Sequence, residues 1–213
     1  MYKFYGQSNQ DQFIFERYFQ NKKNGISIEC GAFDGITESA TFFFEENLDW
    51  VCINIESSPP IFNLLTKNRP KSFNYDFGLS NEEKILTFKH AIHPVYGEKF
   101  GNGSFNHKME HLHNLNYEGC VFEEYQVNTT TYVNLIDKLM DENFLGKSID
   151  LFVLDVEGFE LEVLEGLTNS KYLPKILAVE YSHVGLDNIK SMLDKLHYKF
   201  DIQKNNDAYF VKL

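Results

Sequence analysis

Carboxylates that close short apolar runs are the most chemically suggestive feature of this sequence. In ISIECGAFDGITES, residues 26–39, a strand-like run carries Glu29, and Gly31 and Gly35 bracket a turn that contains Asp34. A strand, a glycine turn and a helix starting near Thr37 would form a nucleotide-binding βα turn, since glycine lets the backbone approach a ligand closely. A dinucleotide site wants G-x-G-x-x-G and a bare helix N-terminus for its pyrophosphate. Here Phe33 and Asp34 stand between the glycines. A carboxylate there repels pyrophosphate but suits a ligand carrying an ammonium and a sulfonium, which favours S-adenosylmethionine over NAD. The blander account is a glycine-rich turn with capping acids.

Three more strand-like runs end in acids. Glu56 closes WVCINIE, residues 50–56. An acid about 20 residues beyond the glycine turn, at the tip of the second strand, accepts from ribose hydroxyls. Asp155 and Glu157 follow the most continuous apolar run of the chain, in LFVLDVEGFE, and Gly158 permits a tight exit. Ligands of open α/β sheets bind at such carboxyl ends, although acids also cap first helical turns. Glu160 and Glu162 read as helix-surface charges. In KILAVEYSHVG, Glu180 and His183 end the neighbouring run, and His183 is a candidate base because imidazole titrates near neutrality.

Five of the seven histidines, His90, His93, His107, His111 and His113, fall within residues 90–113. His107 and His111 would share a helix face, as in zinc enzymes, but the Glu of H-E-x-x-H is missing. No metal site is expected there. A polar lid over a hydroxyl-rich substrate is the preferred reading of residues 93–120.

These groups need a frame. Apolar runs near 26–30, 50–56, 71–80, 85–91, 121–128, 149–157 and 175–182 alternate with helical patterns at 10–20, 37–47, after Pro59-Pro60, and at 131–142, 159–167 and 185–197. HYKFDIQ and DAYFVKL close the chain as an antiparallel pair. The alternation predicts an α/β fold on a mainly parallel sheet, in one domain over 1–213. The 20 Phe and 12 Tyr predict an aromatic core. A net charge of −11, with no basic patch, argues against a nucleic-acid substrate. No run is long enough to span a bilayer, and MYKFYGQSNQDQFIF lacks the apolar core of a signal peptide. Cys30, Cys52 and Cys120 lack metal spacing and read as free thiols of a reducing, cytoplasmic compartment. The sequons at Asn102 and Asn128 are then chance matches.

Together, YGQSNQDQFI, ISIECGAFDGITES, WVCINIESSPPIF, LFVLDVEGFELEVLEG and, more weakly, LAVEYSH resemble the FkbM family of methyltransferases. The resemblance implies a class I Rossmann-like methyltransferase fold, with a seven-stranded sheet and helices on both faces, and O-methylation of a hydroxyl, often on sugars, polyketide-type products or glycans. It implies that Gln7 and Asp11 belong to an N-terminal segment closing over the cofactor. Glu29, Gly31, Asp34 and Gly35 would form the first cofactor motif, with Ala32 and Ser39 beside them. Glu56, with Ser57, would hold the ribose. Asp76, Gly78 and Ser80 would lie where the third strand meets the adenine or methionine. Asp155, Glu157 and Glu180 would cluster near the methyl group. Gly6 replaces a common Ser, and Asn9 and Gln10 stand where Gly-Glu is frequent.

The expectation is methyl transfer from S-adenosylmethionine to a hydroxyl of a sugar or glycan, or of another small molecule. Asp155 is the first choice to position or deprotonate that hydroxyl, followed by Glu180 and His183. Clustered carboxylates could instead hold Mg²⁺ as a Lewis acid, which is not expected. An NAD-dependent oxidoreductase and a non-catalytic binding module are the alternatives. The acceptor and the oligomeric state are not readable.

Overall fold

A computed structural model describes residues 2–144 and 146–213. Its main sheet has seven strands, β1 (Ile26–Cys30), β2 (Val51–Ile55), β3 (Phe73–Tyr75), β7 (Leu151–Leu154), β8 (Ile176–Glu180), β9 (Tyr198–Lys204) and β10 (Asp207–Lys212). They run in the order β3-β2-β1-β7-β8-β10-β9, and only β10 is antiparallel to its neighbours. The expected class I arrangement is present. A second, three-stranded sheet joins β4 (Gly78–Ser80), β6 (Val121–Thr131) and β5 (Lys84–Ile92) in that order.

Both faces of the main sheet are covered, which is why its central strands read as unbroken apolar runs. Side chains alternate across β7: Phe152 and Leu154 enter one core, Leu151 and Val153 the other. The first core takes Leu139 and Met140 of α5 (Lys138–Asn143), Val163 and Leu164 of α6 (Glu160–Glu165), and Ile189 and Leu193 of α7 (Leu186–Lys195). The second takes Ile14 of α1 (Gln10–Ile14) and Phe43, Phe44 and Leu48 of α2 (Phe42–Leu48), with Phe19 and Trp50. Its rings meet edge-on, as in Phe19–Trp50 with centroids 5.0 Å apart, the geometry that ring quadrupoles favour. α3 (Pro59–Asn68) opens on Pro59-Pro60, where the missing amide protons have no helical partner to lose.

Two expectations need correction. The helix after the glycine turn starts at Phe42, not near Thr37. The buried Glu29 carboxylate takes the Ala40 amide at 2.7 Å and the hydroxyls of Ser39 at 2.7 Å and Thr41 at 2.6 Å, which holds residues 39–41 ahead of the helix, with Thr41 at its N-cap. Glu38, at φ 58°, bridges to Gly6 instead. The run 71–80 is two strands, β3 and β4, in different sheets. Residues 93–120, expected as a polar lid, carry structure of their own. They hold α4 (Met109–Tyr117) and bridges from Lys89 to Ser104 and His93 to Gly97, and pack on Ala91, Leu115 and Cys120. With β5 and β6 they form an arm that closes over the carboxyl ends of the main sheet.

Arg69 ties the glycine turn to α2. It is fully buried and donates to the Gly35 carbonyl at 2.8 Å, to Glu45 at 2.6 and 2.8 Å, and to the Ser39 hydroxyl at 3.4 Å. Removing one partner of a buried pair leaves a charge without compensation, so Arg69→Ala is expected to lower the unfolding free energy by about 3–5 kcal/mol in urea denaturation. The double variant Arg69→Met/Glu45→Gln is expected to recover part of it. A loss below about 1 kcal/mol, the size of a surface pair, would show that the network does not hold the turn.

Candidate active site

The strand order reverses between β1 and β7, and open α/β sheets bind ligands outside the carboxyl ends at such a point. A cavity of about 840 Å³ lies there, within the range of small-molecule sites. Its floor is Cys30, Gly31 and Ala32 from β1, and Asp155 and Val156 from β7. Gly31, at φ +84°, is required: a Cβ would sit 1.7 Å from the Asp155 carbonyl oxygen. The Gly31 and Ala32 amides donate to the Ile55 carbonyl at 3.0 and 3.1 Å, which holds the turn flat against β2.

Glu56 forms one wall. Its carboxylate accepts from the Phe33 amide at 2.9 Å and the Ser58 amide at 2.7 Å, and burial pushes it up to about 7 against those bonds. Ser58 passes the contact on to His90 Nδ1 at 3.0 Å.

The opposite wall is acidic. Asp155 is open to the cavity yet lies deep in the fold, and burial, then Glu180 and Glu157, hold its carboxyl well above the usual range. Asp207, register partner of Glu180 on β10, is pushed up to about 7 by burial and by Glu180. Ser182 donates its hydroxyl to Glu180. Glu157 sits at φ 55°, a conformation disfavoured for a residue with a side chain and typical of functional sites. Its Oε2 is 3.0 Å from His183 Nε2, and that hydrogen bond raises the His183 pKa while burial opposes it. His183 stacks on His111 of α4, with centroids 4.2 Å apart and planes 13° from parallel. Burial, followed by His183 and His107, pushes His111 down to about 4.

Of the residues singled out from the sequence, Gln7, Glu29, Gly31, Ala32, Ser39, Glu56, Ser57, Asp155, Glu157, Glu180 and His183 line this cavity. Asp11, Asp34, Gly35, Asp76 and Gly78 do not. Asp11 is fully buried and accepts from the Tyr5 and Gln12 amides, shaping the segment that presents Gln7 and Gln10. Asp34 caps its own turn through the Ile36 and Thr37 amides, so the negative charge facing a ligand comes from the β7 and β8 ends instead. Gly35 packs on Leu65 and Arg69, Asp76 faces solvent, and Gly78 lies beneath Phe105. Glu29 is at the back wall, its oxygens occupied by residues 39–41. Glu160 is no surface charge: it is fully buried and accepts from the Val156 and Gly158 amides. The pairing of His107 with His111 is also displaced, since His107 precedes α4 and its Nε2 donates to the Asn102 carbonyl at 3.0 Å.

Sequence reasoning missed Gln10, Ser58, Phe88, Asn102, Phe105 and Asp207, all at the cavity. For Asn102 and Phe105 the available signal was the excess of Gly, Asn and His in 93–120. Asp207 had none, because only the sheet order brings it beside Glu180.

Comparison with known proteins agrees with this arrangement. The family described as "Methyltransferase FkbM domain" matches residues 29–205. No curated protein matches significantly. Among solved structures, the methyltransferase FkbM from Methylobacillus flagellatus KT superposes with a TM-score of 0.53 at 11% identity, over 88% of this chain and 43% of that one. This chain therefore spans less than half the length of that protein. A putative rRNA-methylase from Clostridium thermocellum gives 0.48 at 8% identity, over 100% and 98% of the two chains. Fibrillarin from Aeropyrum pernix, a complex with natively bound S-adenosyl-L-methionine, gives 0.45 at 9%, over 95% and 71%. With its family motifs meeting at the switch point of a class I sheet, the chain belongs to the FkbM methyltransferase family.

Proposed function

We propose that this chain transfers the methyl group of S-adenosylmethionine to a hydroxyl of a small polar acceptor of the sugar or glycan class. The observation that carries the reading is one cavity, at the β1/β7 switch point, with Glu56 on one side and the acids around Asp155 on the other. Two ribose hydroxyls donate naturally to Glu56. The ammonium and sulfonium of the donor would offset the mutual repulsion of Asp155, Glu180 and Asp207, which burial and their own proximity set up.

The acceptor enters from the arm. Asn102, His111, His183 and Asn206 offer hydrogen bonds, and Phe33, Tyr96 and Phe100 offer ring faces, a combination suited to hydroxyl-rich rings. Lys99 is the one basic side chain lining the cavity among the described residues, a poor match for a phosphate backbone. In the transfer, the hydroxyl oxygen forms a bond to the methyl carbon as the carbon–sulfur bond breaks. S-adenosylhomocysteine leaves with the electron pair, and Asp155 takes the hydroxyl proton. Alignment of the two reactants and removal of that proton are the main demands on the protein.

Calorimetric titration with S-adenosylhomocysteine is expected to show one saturable site per chain, weakened at least about tenfold by Glu56→Ala, the loss of bonds to a charged acceptor. No binding by the wild type would overturn the reading. With methyl-labelled donor and a panel of saccharides, Asp155→Asn is expected to cut label transfer by at least about 100-fold. Transfer to RNA and not to saccharides would replace the acceptor class.

The pH dependence of stability is a third check. Glu56 and Asp207 are raised chiefly by burial. Their stabilisation is complete below their unfolded values and is lost as the pH rises through about 7. Without ligand, the thermal midpoint is expected to rise on going from about pH 8.5 to about pH 6.5, above the range where the buried His90, His107 and His111 oppose it by charging. A midpoint that falls over that interval would contradict the buried acids.

A further inference from the structure

His111, Glu157 and His183 come from three separate elements: α4 of the arm, the turn after β7, and the turn after β8. One ligand atom from each lies within 4.8 Å of the other two. The His111 side chain is only 7% exposed, and its Nδ1 has no hydrogen-bond partner. Its Nε2 lies 3.1 Å from Asn102 Oδ1 and donates to it, which leaves a lone pair on Nδ1. That lone pair faces Glu157 Oε2 at 3.5 Å, an acceptor against an acceptor. Such a contact is repulsive unless a proton or a metal cation lies between, and a metal ion would satisfy both atoms and His183 Nε2 at once. The same oxygen stands 3.0 Å from His183 Nε2.

We propose that His111 Nδ1, Glu157 Oε2 and His183 Nε2 bind a divalent ion of the zinc class. Two imidazoles and one carboxylate form a donor set that selects zinc and its transition-metal neighbours over magnesium or calcium. Zinc–ligand bonds of about 2.1 Å at tetrahedral angles put ligand atoms about 3.4 Å apart, and the two contacts to Glu157 bracket that separation. The Asn102 contact is the outer partner that orients a ligating imidazole. The stacked rings pivot about their Cβ–Cγ bonds to converge on the ion. Three protein ligands leave a fourth position open to the cavity, as catalytic zinc sites do. This part rests on the proposed function: an acceptor hydroxyl bound there is acidified by the ion and passes its proton to Asp155.

The test uses the full chain without a polyhistidine tag. Zn²⁺ is titrated calorimetrically, and Co²⁺ serves as a spectroscopic stand-in. One Zn²⁺ per chain is expected, with visible Co²⁺ bands of a four- or five-coordinate site and no comparable binding of Mg²⁺. His111→Ala and His183→Ala are each expected to weaken Zn²⁺ binding at least about 100-fold. S-adenosylhomocysteine binding by the same variants reports that they are folded. Cys120→Ser, at a separate cluster with His93 and Glu118, is expected to leave Zn²⁺ binding unchanged. Absence of Zn²⁺ binding by the wild type, or binding that survives His111→Ala, overturns the proposal and leaves the donor reading intact. Zn²⁺ binding without S-adenosylhomocysteine binding does the reverse.

Discussion

The carboxylate of Glu29 has almost no access to water and must find its donors inside the fold. It finds them in the hydroxyls of Ser39 and Thr41 and the amide of Ala40, and Ser39 is within reach of Arg69. Arg69 holds Glu45 and the Gly35 carbonyl, and Ser72 closes the chain on Glu45. This buried network replaces what would be the first turns of a helix with an irregular turn along the cavity wall. The wall leaves the space above Gly31 empty of protein. A structure that satisfied Glu29 with a regular helix would have filled the cavity's flank.

The rest of the site follows from charge placed around that space. Gly31 and the Asp155 carbonyl bring β1 and β7 close enough that Asp155, Glu157, Glu180 and Asp207 share one small volume. Like charges so close do not all ionise comfortably, and their environment keeps Asp155, Glu157 and Asp207 prone to hold protons. The free protein thus stores electrostatic tension that a positively charged ligand relieves. Glu56, across the cavity, is held by two backbone amides and stays apart from that group.

The frame was legible because its strands are buried on both faces and leave near-continuous apolar runs between glycine and proline punctuation. Asp155, Glu157, Glu180 and His183 were legible as cavity-lining positions for the same reason, since each ends or closely follows such a run. Asp34 misled because a carboxylate in a glycine turn can satisfy the turn's own amides, and sequence does not separate that from a ligand contact. Glu160 misled because helical spacing put it outside while the tight turn at Glu157-Gly158 pulled it beneath the chain. Asp207 was invisible as a site residue because only strand order carries it there, and His111, weighed only with His107, meets Glu157 and His183 instead through the arm's folding.

The arm has consequences beyond its place above the site. It has a small core of its own in Ala91, Leu115 and Cys120, while Leu86 and Phe105 tie it to the first core of the main sheet. Substitutions around that small core answer to few neighbours, while the turn after β1 stays under the tight packing of β1 and β7. Lineages diverging from such a chain would change what they modify long before they change what they modify it with.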